Sequence, residues 1–259
     1  MRLLSEPDVP VLRDVLAREP YYNLFMIGDL EMLGVSAPDL FYWGQFVDEQ
    51  LEGVAMRYKR NWHFYDAGGA DLSEFAQAID LYPEDATING HDALVEAILG
   101  RLQQSKVLSD HHSYYCALPN DAQLAQPRHP TRRATTTDVG ALVDHYASAG
   151  EMRRGEPAIR TCLEYNRIFV TEVGERIVSA ALTNVETSSM AMIGGVFTPE
   201  PLRGKGYASA AMTALCASLL SDGCQPCLFY DDPAAGTIYR RLGFEDIGPW
   251  RLVFLEHRP

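Results

Sequence analysis

The chain has 259 residues, 47% of them apolar, which is enough for one large domain or two small ones with a sizeable core either way. Against 35 Asp and Glu stand only 22 Lys and Arg, a formal net charge of −13 that argues against general binding to nucleic acid or to anionic membrane, since both need a basic face. An amine substrate is compatible with that balance, and a solvated acidic surface accounts for it as well. The start, MRLLSEPDVP, has no apolar h-region and no run approaches the length of a membrane span, so a cytoplasmic protein is expected.

In chain order, Val11–Leu16 and Tyr22–Met32 read as short helices, the first stopped by Glu19-Pro20. The period then changes to two: Leu40–Val47, Leu51–Tyr58 and Trp62–Asp66 read as a three-stranded meander, with turns at Asp48-Glu49 and Arg60-Asn61. A Gly68-Gly69 break precedes a helix at Leu72–Leu81 that Asp71 is placed to cap. A strand at Thr87–Ile88, a helix at Ala93–Gln103 and a strand at Tyr114–Leu118 complete this half. Three prolines in Pro119–Pro130 mark a linker. Beyond it Arg132–Ala134 reads as a strand, Asp138 as the cap of a helix through Val143 to Ala147, and Ala158–Asn166 as a second helix. Strands at Ile168–Glu172, Ile177–Val185 and Ser189–Phe197 follow, and Arg251–Glu256 is the final strand.

The stretch Met192–Leu220 is where chemistry concentrates. A short strand ends at Pro199 and Pro201, which lack backbone donors, and a basic glycine turn, Arg203-Gly204-Lys205-Gly206-Tyr207-Ala208, opens a helix whose apolar stripe is Ala208, Met212, Leu215 and Leu219. Gly204 and Gly206 let the backbone turn sharply and leave the first helix amides facing outward, so that the dipole, Arg203 and Lys205 form a pyrophosphate cradle. Neither a third spaced glycine nor GxxxxGK[ST] is present, which excludes the dinucleotide fingerprint and the P-loop.

This turn resembles the acyl-CoA loop of the GNAT N-acetyltransferase superfamily, [RQ]xxGx[GA], here Arg203, Gly206 and Ala208. Its neighbour Leu228–Phe244, LFYDDPAAGTIYRRLGF, resembles the second family motif: a strand, a capped short helix with a Tyr, and a closing Gly-Phe. Asp232 is a suitable N-cap, Pro233 sits at the first helical position and Gly243 ends the helix. The wording is most similar to a bacterial branch of predicted acetyltransferases with an N-terminal extension, from which it departs by Asp232 in place of Asn and by a shorter segment after the strand.

The resemblance implies an α+β fold on a mixed sheet, with a catalytic GNAT domain over residues 131–259 and a linker over 121–130. The order of elements in residues 1–120 matches the same core, so a tandem arrangement is expected. The N-terminal copy is then degenerate, because Ala67-Gly68-Gly69-Ala70-Asp71 offers no cation and places a carboxylate where pyrophosphate would sit. The implied function is transfer of an acetyl group from acetyl-CoA, or another acyl-CoA, to a primary amine by direct attack. Cofactor-binding positions are the backbone of Val196, Phe197 and Thr198, the loop Arg203, Gly204, Lys205, Gly206, Tyr207 and Ala208, and Asp232. Tyr239 is the implied acid for the leaving thiolate. The rival from another class is a non-catalytic acyl-CoA-binding or sensing protein. An aminoacyl-tRNA-dependent transferase is disfavoured by the acidic balance and the intact loop.

The general base is not identifiable among Glu151, Glu156, Glu164, Glu186, Asp144 and His145. Five cysteines, odd and sparse, suit a reducing compartment. Cys224-Gln-Pro-Cys227 has no second pair to complete a zinc site, so buried thiols and no metal are expected. Oligomeric state stays open, a homodimer included.

Overall fold

A computed structural model describes residues 1–121 and 123–257. They form two compact units, Met1–Tyr115 with the chain from Gly248 onward, and Cys116–Ile247.

In the first unit the elements are β1 (Arg2–Leu3), α1 (Val9–Leu16), α2 (Leu24–Leu33), β2 (Leu40–Val47), β3 (Gln50–Tyr58), β4 (Asn61–Asp66), α3 (Leu72–Asp80), β5 (Ala86–His91), α4 (Asp92–Leu99) and β6 (Lys106–Ala117), whose end enters the second unit. The strands β2, β3 and β4 are antiparallel neighbours, and Val47 faces Gln50 across a two-residue turn. Asp48 and Glu49 both have positive φ there, 47° and 65°, which is the backbone twist that a two-residue hairpin demands. Period-two alternation puts Tyr42, Val54 and Met56 into an apolar cluster with Leu12, Leu16 and Leu30 of the helices.

The second unit repeats that order: β7 (Thr131–Arg133), α5 (Val139–Tyr146), α6 (Glu156–Tyr165), β8 (Ile168–Val173), β9 (Arg176–Glu186), β10 (Met190–Phe197), α7 (Tyr207–Ser221), β11 (Gln225–Tyr230), α8 (Pro233–Arg241) and β12 (Glu245–Glu256). Here α5 and α6 pack with one face of β9 in a cluster holding Leu142, Tyr146, Ile159, Ala180 and Leu182. The other face meets α7 in a cluster holding Ala181, Met212, Leu215 and Leu219. The long helix is buried more broadly than the single stripe expected, with Ala210, Ala211, Thr213 and Cys216 covered as well.

The last strand departs from the expected division of the chain. From Gly248 it belongs to the N-terminal unit, where Trp250 to Leu255 pair antiparallel with His91 to Ala86 of β5. The end of β6 is conversely part of the second unit, where the Leu118 amide donates to the Pro226 carbonyl at 2.8 Å. Arg251, nearly buried, holds this strand in the first unit by donating to both carboxylate oxygens of Asp110 at 2.8 and 2.6 Å and by pairing with Glu96.

Both units open on the same device. The Ser5 amide donates to Asp8 (2.9 Å) and Arg2 grips that carboxylate; the Thr135 amide donates to Asp138 (2.7 Å) and Arg132 grips that one at 2.8 Å. This corrects the expected role of Asp138. Its side chain makes no cap bond to α5, because both oxygens are taken by the turn before the helix and by Arg132.

The same geometry fixes a pH response. Asp138 is buried, and the Arg132 guanidinium foremost, then the Thr135 amide, hold its carboxyl down to about 2, below the ordinary value of about 3.9. A depressed folded value means the stabilisation is present above the unfolded value and is lost as pH falls from about 4 towards about 2. With Arg132 partly exposed, the contribution is about 1–2 kcal/mol at neutral pH. Thermal melts of the wild type and Asp138→Asn are expected to differ by that amount at pH 7, with the gap narrowing below pH 4 until about a third of it is left at pH 2.5. A constant gap across that range would exclude this linkage.

Candidate active site

The site is built on the end of β10. Its parallel pairing with β11 covers only Met190, Ala191 and Met192 opposite Gln225, Pro226 and Cys227, although both strands run on, so their edges part beyond Met192. On its other side β10 shifts register against β9 between Gly194 and Phe197. Gly195 sits there at φ 55°, a left-handed conformation that glycine takes without strain, and the shift leaves Gly195 and Val196 without ladder partners. Gly194-Gly195 thus opens a bulge in β10.

Side chains from the α5 face lock the carbonyls of this segment. Tyr146 Oη donates to Gly195 O at 2.5 Å, His145 Nε2 donates to Phe197 O at 3.2 Å, and Ser179 Oγ reaches Phe197 O at 3.1 Å and Thr198 Oγ1 at 2.8 Å. The Phe197 ring is buried against Tyr146 and His145, so this residue offers the site its backbone. Val196 packs against the cluster that contains Ile193 and Tyr239.

The cradle lies directly after. Arg203 Nε donates to the Thr198 carbonyl at 3.1 Å and so ties the loop to the strand end. Gly204 and Gly206 both have positive φ, 76° and 83°, and Gly206 is the N-cap of α7 without any side-chain cap. The first return bond of the helix is Ala210 N–H to Gly206 O at 3.0 Å, so the amides of Tyr207, Ala208 and Ser209 have no acceptor in the helical ladder. Arg203 and Lys205 are exposed beside them. Free amides, the positive end of a 15-residue helix and two cations together suit a pyrophosphate. The Tyr207 ring packs against the His129 ring, with centroids 4.6 Å apart. His129 Nε2 also donates to Lys205 O at 2.8 Å, and Thr171 Oγ1 donates to Tyr207 O at 3.0 Å.

On α8, Asp232 Oδ1 accepts from the Ala234 amide at 2.8 Å, so its carboxylate caps the helix. Tyr239 is buried between Tyr230 and Phe244, with ring centroids 5.5 and 6.0 Å away. Burial first, then neighbouring Cys116 and Asp232, push its phenol up to about 12. Arg240 donates to Tyr230 Oη at 2.8 Å.

Several base candidates are occupied elsewhere. Glu186 accepts from Arg167 Nε (3.1 Å) and Thr183 (2.6 Å); Glu156 pairs with Arg160. His145 is buried, with backbone bonds at Phe197 and Ile177, and burial holds its pKa below the ordinary value. Asp144 and Glu164 are exposed, and the side chain of Glu151 lies outside the described residues. The thiols of Cys224 and Cys227 are buried and donate to the carbonyls of Thr187 and Ala191. Among the described residues no group of three or more His, Cys, Asp or Glu is placed to hold a metal, and no helix is long and apolar enough to cross a membrane.

Motif reasoning overlooked the groups that hold the site from a distance. Tyr146, Ser179, Thr171 and His129 are each separated from their partners in sequence and belong to no spacing pattern.

A bulged strand thus parts from its parallel neighbour next to a helix-start anion cradle. Residues 141–244 match the Acetyltransferase (GNAT) family. Over 130 residues, 48% of the chain, it is 31% identical to serotonin N-acetyltransferase 2, chloroplastic, of Oryza sativa subsp. japonica, and spans 65% of that protein's length. Two solved structures share the fold: a GNAT-family acetyltransferase from Colwellia psychrerythraea (TM-score 0.58, 17% identity, 99% of each chain) and a GCN5-related N-acetyltransferase from Sphaerobacter thermophilus (TM-score 0.68, 16% identity, 100% of this chain and 95% of that one).

Proposed function

We propose that the chain is an N-acetyltransferase that transfers the acetyl group of acetyl-CoA, or the acyl group of a related acyl-CoA, to a primary amine by direct attack. The observation that carries this reading is the coincidence, in one strand and helix, of the parted β10 and β11 edges with the glycine cradle. The amides from Gly204 to Ala208 hold the pyrophosphate with Arg203 and Lys205. The backbone of Val196, Phe197 and Thr198 holds the pantetheine amides and the developing oxyanion. Donors fixed by Tyr146, His145 and Ser179 need no reorganisation as charge develops. Tyr239 donates to the departing sulfur. Asp232, spent on its own helix, contributes to cofactor binding only by shaping the entrance to α8.

The N-terminal unit is read as a second copy that no longer takes a cofactor. Its support is the shared element order and opening device. At the equivalent turn the Gly68 and Ala70 amides donate to Asp66 (2.8 and 2.9 Å) and Asp71 caps α3, so the chain's own carboxylates fill the anion's place.

Isothermal titration of acetyl-CoA into the protein, followed by an amine panel with a thiol-release readout, tests the reading. Micromolar binding with thiol release on one amine class is expected. Binding with no release on a broad panel supports the sensing role, which the loss of Asn at Asp232 favours; absence of binding removes both.

A further inference from the structure

We propose that Arg154 recognises a carboxylate on the acceptor, so that the substrates are small primary amines that also carry a carboxyl group, amino acids by chemical class. The inference rests on the acetyltransferase reading and adds to it what lies on the far side of the sheet from the cofactor.

Arg154 stands between the short turn Gly150–Met152 and α6, half-buried. One of its terminal nitrogens donates to Asn184 Oδ1 at 3.2 Å, while its Nε is fully covered and has no hydrogen-bond partner. Three other arginines are matched by carboxylates, Arg132 by Asp138 and Glu172, Arg167 by Glu186 and Asp222, Arg251 by Asp110 and Glu96, and half-buried Arg57 is instead covered by the rings of Phe41 and Tyr82. Arg154 has no ion pair among the described residues, in a chain of net charge −13 where a carboxylate is the easiest partner to supply. The covered Nε is out of a ligand's reach, so the terminal nitrogens, one of them steadied by Asn184, are the donors that receive a carboxylate from outside.

Its position selects the acceptor rather than the cofactor. Along β9, Ala180 and Leu182 face α5 and α6 whereas Ala181 faces α7; Asn184 meets Arg154, which leads directly into α6, and so is reached from the α5 and α6 face. The phosphate cradle opens α7, on the opposite face. The Asn184 amide in turn lies against Gly194, where any side chain would collide with it, and Gly194 begins the bulged segment at which the β10 and β11 edges part. The order Arg154, Asn184, Gly194 therefore sets a cation one side chain away from the bulged segment, on the face opposite the phosphate cradle and so open to the acceptor. An amine and a carboxylate on one small molecule bridge that separation.

The test uses the intact chain, acetyl-CoA and acceptor pairs that differ only in the carboxyl group: phenylalanine with phenethylamine, lysine with cadaverine, and 5-hydroxytryptophan with serotonin, the amine named in the rice relative. The carboxylated member is expected to be preferred by about tenfold or more in kcat/KM. Arg154→Gln should erase the preference by raising KM for that member alone, with KM for acetyl-CoA unchanged, and Arg154→Lys should keep part of it. Equal or better use of the decarboxylated amines, or a preference that survives in Arg154→Gln, overturns the proposal while leaving the acetyltransferase reading intact. Should no amine release thiol, that reading falls, and titration of N-acetylphenylalanine into the protein decides this one. Binding that weakens about tenfold in Arg154→Gln supports it, and no binding overturns it. Melting curves of both variants show whether either change acts through the fold.

Discussion

Reversing both cations of the helix-start loop, Arg203→Glu with Lys205→Glu, is expected to weaken acetyl-CoA binding by about a hundredfold in isothermal titration. Each side chain supplies one charge-assisted contact to a pyrophosphate, worth about 1.4 kcal/mol or a factor of ten at an exposed site. The residual affinity is assigned to the outward amides of Tyr207, Ala208 and Ser209, which the substitutions leave in place. Because both side chains are exposed, the melting temperature should stay within about 2 °C. Raising ionic strength from 0.05 to 0.5 M should weaken the wild type more than the double variant, since only the former gains from exposed charge attraction. Unchanged affinity in the variant would reduce Arg203–Ala208 to an ordinary turn.

That loop was legible in the sequence because everything it needs is local: prolines to stop the strand, glycines for positive φ, cations beside free amides. The same holds for the Asp48-Glu49 hairpin and for Asp71, which caps α3 through the Ser73 amide at 2.9 Å. Strands at the seams were harder to read. Only Tyr114–Leu118 was expected where β6 runs from Lys106 to Ala117, because Ser109-Asp110-His111-His112-Ser113 lacks apolar alternation. What recruits those residues is Arg251 on Asp110, 141 positions away, and Asp92 on His112 at 2.8 Å. Likewise β12 begins at Glu245 rather than Arg251, through Gly248 and Pro249, residues that read as a break. Its place in the N-terminal unit follows from pairing with β5, which no local pattern encodes. The same limit applies to Tyr146, Ser179, His129 and Arg154, whose meaning comes from partners brought near by the sheet.

Tyr239→Phe is expected to lower kcat by about a hundredfold with KM for acetyl-CoA within about twofold, measured by thiol release at saturating cosubstrate. The ring is buried against Tyr230 and Phe244, and removing its hydroxyl keeps that packing, so the loss is read as chemistry. With its phenol pushed up to about 12, Tyr239 stays protonated throughout the usual assay range, and the rate is expected to show no alkaline limb near pH 10 from this residue. The same shift limits what the phenol can do alone. Giving its proton outright to a thiolate whose own value is about 8.5 is uphill by about 5 kcal/mol. The proton lost by the attacking nitrogen must therefore replace the one passed to sulfur as the C–S bond breaks, which makes Tyr239 a relay between the two. An inverse dependence follows: acyl donors with more acidic leaving thiols should be less sensitive to Tyr239→Phe, because their sulfur needs the proton less. Equal sensitivity across such donors would leave Tyr239 a packing residue of α8, and an unchanged kcat would favour the sensing role over catalysis.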